Sequence, residues 1–134
     1  MPGTWDANLK LLYAVDQGQF FATDTVNLGD PFDVIANVEI GSSLMEVVRR
    51  HDASVSVRNL SQSTILGSQN FGEVLNATSN SRNQEIRVSL PGGWPANEGD
   101  VLEVVASYKV TAGVHTDYSS QKSKTFIVSV PDTP

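Results

Sequence analysis

The chain has no cysteine. Thiol nucleophiles, disulfide staples, cysteine-ligated zinc and CxxC redox chemistry are excluded together. Compartment is left open, because cytosolic proteins and secreted bacterial domains both do without cysteine. Long apolar runs are missing too. The opening stretch MPGTWDANLKLLYAVDQG has no basic leader and only a short apolar patch, so it reads neither as a secretory signal nor as a span across a bilayer. Basic charge is scarce: nine Lys and Arg stand against fifteen Asp and Glu, a formal net charge of −6. The one compact basic spot, Arg49-Arg50-His51, is flanked by Glu46 and Asp52. A phosphate backbone demands a basic face, so nucleic acid is not an expected partner. Catalytic signatures are absent as well. There is no Gly-x-Ser-x-Gly and no His-Glu-x-x-His, and Gly92-Gly93 runs into Trp94-Pro95 rather than into a helix that would receive a phosphate. The expectation is a soluble, non-enzymatic chain with no catalytic residue, no cofactor and no resident metal.

What is present is alternation. The 134 residues suffice for one domain that buries about two thirds of its unfolded surface. The segment NLGDPFDVIANVEI, residues 27 to 40, returns seventy residues later as NEGDVLEVVASYKV, residues 97 to 110. In the first copy Phe32, Val34, Ala36, Val38 and Ile40 share a face, and in the second Leu102, Val104, Ala106, Tyr108 and Val110 do. Each copy enters through Asn-x-Gly-Asp, where Gly tolerates a positive φ and Asn and Asp bond back to the local backbone.

Further alternating runs place strands near 9–26 (one strand or two), 53–59, 64–75, 85–90 and 122–130. Together they make about seven to nine short strands, an all-β sandwich. Ser43 followed by Glu46 reads as a capping box that opens a short helical turn at 43–50, and the alternative is a strand and turn, since Val47-Val48 favours extended structure. The domain is expected over 9–130, with an N-terminal arm at 1–8 and a tail or linker start at 131–134.

This order of strands resembles the immunoglobulin and fibronectin type III sandwiches at superfamily level. The resemblance implies a single immunoglobulin-like antiparallel β-sandwich in which the two similar strands are the central strands of opposite sheets. The inter-sheet cysteine pair of antibody-type members is missing, as is a Trp in the third strand. The resemblance also implies two ends. Asn27 to Pro31 and residues 91–100 lie at one; residues 49–52 and 113–119 lie at the other.

That second end gathers Arg49, Arg50, His51, His115, Asp117 and Tyr118, with Asp52 beside them, as candidates for binding, since Arg and Tyr anchor interfaces and loops carry recognition. Solvated loop polarity is the plain alternative. At the first end Asp30, Glu98 and Asp100 either present oxygens to Ca²⁺ or cap their own turns. Trp94 is either a stacking platform or a plug closing the sandwich, and Trp5 poses the same choice.

Three functions follow. The first is docking on a protein partner, or self-association, in a surface, adhesive or particle-coating assembly, which suggests an extracellular or particle-surface setting. The second is glycan binding through Trp94, Tyr118 or Trp5. The third is a small metal-dependent enzyme built on His51 and His115. If copies exchange strands, Leu9–Val15, guarded only by Lys10, is the expected edge, because Lys122 and Lys124 guard the last strand.

Overall fold

A computed structural model of the chain describes residues 5–19 and 22–130. The tail at 131–134, the first four residues of the arm and Phe20-Phe21 of the broken first strand lie outside these. Among the described residues nine strands and one helical turn follow in order: β1 (Ala7–Asp16), β2 (Thr25–Asn27), β3 (Phe32–Ile40), α1 (Ser42–Met45), β4 (Val48–Asn59), β5 (Thr64–Val74), β6 (Arg82–Leu90), β7 (Val101–Ala112), β8 (His115–Lys122) and β9 (Phe126–Ser129). They form two layers. One sheet runs β1-β3-β6, the other β2-β9-β7-β4-β5 with β8 also paired to β7. The chain is thus an all-β sandwich, with β3 and β7, the two similar strands, each central in its own sheet.

The alternation does what it implies. All five inward residues of β3 and all five of β7 named above are buried, and burying each larger one contributes about 1.5–3 kcal/mol. Ile86, Val88 and Leu90 of β6 and Ala53, Val55 and Val57 of β4 complete the same core. The first strand is broken in two: β1 pairs antiparallel with β3, whereas β2 has crossed to the other sheet and runs parallel to β9. Among the described residues one parallel pair therefore stands in an otherwise antiparallel fold. β1 starts at Ala7, so Ala7 and Asn8 belong to the sheet and not to the arm.

The repeated Asn-x-Gly-Asp is a repeated turn. Asp30 N–H donates to the Asn27 carbonyl at 3.1 Å and Asp100 N–H to the Asn97 carbonyl at 3.0 Å. Gly29 and Gly99 sit at φ 74° and 86°, the left-handed conformation that residues with a Cβ rarely adopt. Both turns hold the last strand, Leu28 N–H reaching the Ser129 carbonyl and Gly99 N–H the Val128 carbonyl, each at 2.8 Å.

Three features differ from the sequence reading. The helical turn covers Ser42–Met45 only, and its N-cap is Gly41 with no side-chain cap bond, so the Ser43–Glu46 capping box does not form and residues 48–50 are strand. β4 begins five residues before the expected 53, and β8 begins at His115, leaving Gly113-Val114 as the turn. The 49–52 and 115–119 segments are therefore strands rather than loops.

The third concerns the N-terminal edge. Ala7 N–H donates to Asp117 Oδ2 at 2.7 Å, Leu9 N–H to Ser119 Oγ at 3.0 Å, and Gln121 Nε2 to the Lys10 carbonyl at 3.5 Å. Alternate side chains of β8 thus cover the start of the edge that the sequence left to Lys10.

Trp94 closes the end where the two turns meet. It is 5% exposed; Nε1 donates to the Asp30 carbonyl at 2.8 Å, and its ring meets Phe32 edge-on at 6.0 Å. Removing the ring leaves a cavity, so Trp94→Ala should cost about 3–5 kcal/mol of stability. Trp94→Phe keeps most of the volume and loses the hydrogen bond, so it should lose less than Trp94→Ala. Denaturant unfolding of the two variants checks this, and equal losses would contradict a plug that works mainly by volume.

Candidate functional site

His51 owes its position to one extra residue. Val48 pairs with Ala112 while Arg50 pairs with Thr111, so Arg49 is a bulge in β4. A bulge shifts the alternation by one. Val48 and His51 face the core while Arg49 and Arg50 are exposed. Without the bulge the inward position after Val48 would fall to Arg50.

Inside, His51 is wholly buried. Its Nδ1 lies 2.6 Å from the Tyr108 hydroxyl and its Nε2 2.8 Å from Glu73 Oε1. Burial lowers the imidazole pKa, outweighing the hydrogen bond and charge of Glu73 that raise it. The ring is therefore neutral near pH 7, with one donor and one acceptor. Glu73 is held below the usual carboxylate range, first by the hydrogen bond from His51 and, against some desolvation, by Gln84. A carboxylate only accepts, so Nε2–H donates to Glu73 and Nδ1 accepts from the Tyr108 O–H. Gln84 Nε2 (3.3 Å) and Arg82 (3.6 Å) meet the same Glu73 oxygen from the edge of the other sheet.

This hydroxyl–imidazole–carboxylate order has the connectivity of a nucleophilic relay. Its hydroxyl belongs to Tyr108, which has no exposed surface and whose pKa burial pushes up. No substrate reaches it and no phenolate forms. The relay instead binds β4, β5 and β7 to the edge of β6.

The exposed chemistry lies on the outer face of the same strands, where register orders it. Gly72, Asp52, Lys109 and Tyr118 form one row across β5, β4, β7 and β8, and Asn70, Ser54, Ser107 and Ser120 form the next. Over them runs a groove of about 630 Å³ lined by Arg50, Asp52, Ser54, Asn70, Lys109 and Tyr118. Arg50 clasps Asp52 through Nε (3.0 Å) and a terminal nitrogen (2.7 Å). Glycine at 72 makes room for this pair: a Cβ there would lie 2.6 Å from Asp52 Oδ1 and 2.7 Å from the Arg50 guanidinium. Tyr118, 67% exposed, forms the far wall.

The sequence candidates therefore divide. Arg50 and Tyr118 share the groove. His51 and Trp94 are core residues and are closed to any ligand, which removes Trp94 as a stacking surface. Arg49 lines a neighbouring groove with Val74 and Leu75. Asp117 ties down β1, and the His115 ring lies 5.3 Å from the exposed Trp5 ring, tilted at 53° to it, away from the partners of His51. Among the described residues, no three His, Cys, Asp or Glu side chains stand close enough to hold a metal ion. Asp100 Oδ2 accepts from Asn59 Nδ2, Gln62 Nε2 and the Asn97 amide; the Asn59 and Asn97 bonds lower its pKa most. That carboxylate is bound to its own end of the sandwich. Asp52 was among the residues the sequence placed with Arg50 and Tyr118, whereas Ser54, Asn70 and Lys109 were missed. Their signal was the polar half of each alternating run, which marks solvent-facing positions without saying which strands lie side by side.

Among the described residues no helix is long and apolar enough to cross a membrane. No protein-family model matches the chain, and no curated protein matches it in sequence.

A lowered pKa in the folded state means that the unfolded chain takes up the proton first, so acid favours unfolding. For His51 this stability is complete above the ordinary imidazole value of 6.5 and is lost as pH falls through and below it. For Asp33, Glu73 and Asp100 the loss comes lower, below their ordinary 3.8 to 4.5. Thermal unfolding should be flat from pH 8 to 7, decline between about 6.5 and 5, and fall again below about 4. His51→Gln should abolish the first decline and keep the second. A first decline of unchanged size in that variant would assign it elsewhere.

Proposed function

We propose that the chain is a non-enzymatic interaction domain that docks on a protein partner through the outer face of β5, β4, β7 and β8. The observation that carries this is the partition across β4. The His51 imidazole and the Tyr108 hydroxyl are turned inward with no exposed surface, while the Arg50–Asp52 pair, Lys109 and Tyr118 stand together on an open face. Rigid strands lower the ordering cost of binding, and Arg and Tyr are the residues most often dominant in interfaces. The three-stranded sheet opposite a larger one, with β3 and β7 central, supports reading the chain as an immunoglobulin-like or fibronectin type III-like module. A surface, adhesive or particle-coating assembly is the setting such a module suits.

Glycan binding is the second reading. Its support is Tyr118 beside the hydroxyls and amide of Ser54, Ser107 and Asn70, a ring face next to hydrogen-bonding groups.

One variant tests both. Tyr118 is exposed, so Tyr118→Ala should leave stability within about 0.5 kcal/mol. It should weaken saturable binding to a purified protein partner about tenfold or more. A glycan panel read by protein fluorescence separates the two readings: saturable quenching that Tyr118→Ala abolishes would transfer the groove to carbohydrate. Full partner affinity in the variant would remove the groove from the docking surface.

A further inference from the structure

Strand edges are templates for further pairing, and proteins guard them with charge, brevity or cover. Most edges here are guarded. β2 has three residues. The start of β1 and the outer edge of β8 are held together by Asp117, Ser119 and Gln121. β6 carries Arg82, Glu85 and Arg87.

β5 is different. It is an edge of the larger sheet, eleven residues long, TILGSQNFGEV, with no Lys and no Pro. Its one charge, Glu73, is engaged by His51. Its residues 64 to 72 lie in the longest uncharged run of the sequence, Asn59 to Gly72, in a chain where Asp, Glu, Lys and Arg number twenty-four. Ile65 and Val74 near its ends are 66% and 75% exposed. The one irregularity is a bulge at Leu66, where the register steps from Gly67 to Ile65 against Val57 and Arg58. Gly67 to Phe71 is clear of it.

We infer that β5 is the edge at which a second copy of this chain adds, antiparallel and about a two-fold axis through Gln69, joining the two larger sheets into one. The inference rests on the reading of the chain as an interaction domain and names one partner for it. Self-complementarity selects the second copy. In that register Ser68 faces Asn70 of the other copy, and Phe71 faces Gly67, an aromatic ring beside a strand glycine. No like charges meet. Two copies of net charge −6 repel wherever acidic surface approaches acidic surface, and β5 is the long edge where they meet without it. A two-fold contact of this kind closes on itself and stops at a dimer.

The test uses the full chain in light scattering across micromolar to millimolar concentration, with two pairs of substitutions at exposed positions. Wild type should reach the dimer mass. S68K/N70K should weaken dimerisation tenfold or more by setting like charges opposite one another, as should S68E/N70E, and an equimolar mixture of the two should restore it. Wild type that stays monomeric at 1 mM overturns the inference, as does a dimer indifferent to both pairs. Because Asn70 lines the same groove, binding through Tyr118 is measured on the unsubstituted chain and on Tyr118→Ala, so a failed dimer with an intact groove, or the reverse, tells which of the two readings has failed.

Discussion

The fold depends on keeping one alternation in register over two central strands. β3 and β7 each send five apolar side chains inward, and the paired strands follow the register those two set. A slip of one residue on either would exchange Val34 for Asp33 or Val104 for Glu103 at the core. The repeated Asn-x-Gly-Asp turns resist such a slip, because each ends where its strand begins and each also holds β9. The similarity of the two segments is then a consequence of similar duty: two central strands, entered at the same end, fastened to the same terminal strand.

Polar groups drawn into this core are tolerated because each is paired. Asp33 is nearly buried on the outer side of β3. Desolvation opposes its charge, yet Arg87, the Gly18 amide and Ser89 together keep its pKa below the ordinary value. Among the described residues no buried side-chain nitrogen or oxygen lacks a partner. These pairs also do what apolar packing cannot, since they are directional. Glu73 with Gln84 and Arg82 joins the sheets along one side, and Asp117, Ser119 and Gln121 join them along the other. The sandwich is laced at both margins by side chains rather than closed by backbone ladders.

Much of this was legible in the sequence. The strands from 32 to 40 and from 101 to 110 follow from period-2 patterning and turn chemistry; whether the first strand breaks is left open, and the meeting of Asn27–Pro31 with residues 91–100 is an implication of the resemblance. The site was much less so, for a definite reason. Val48-Arg49-Arg50-His51 looks like a charged loop because the bulge at Arg49 interrupts the alternation, and a bulge has no composition of its own. Residues 115–122 alternate polar with polar, so no hydrophobic period marked β8 as a strand. Its pairing with β7 is a property of the neighbour. Trp94 was open to two readings, since an aromatic between glycines and proline is compatible with either; the Asp30 carbonyl that receives its N–H is sixty-four residues away.

β4 shows why local composition misled about chemistry. Histidine, arginine and aspartate adjacent in sequence suggest a common site, yet in a strand adjacent residues point to opposite faces. His51 goes inward to Tyr108 and Glu73; Arg50 and Asp52 go outward to a groove ending at Tyr118. The inward set has the connectivity of a relay, but its hydroxyl has no exposed surface and burial raises its pKa, and a catalytic group must reach the proton it moves. The outward set has access but lacks a general base aligned with a nucleophile. What one strand divides in this way, no small side-chain movement reunites, because bringing His51 to the surface would require undoing the bulge and turning Arg50 into the core. Burying that guanidinium without a partner would cost more than the sandwich gains from its histidine. The recognition role proposed for the exposed face rests on that division.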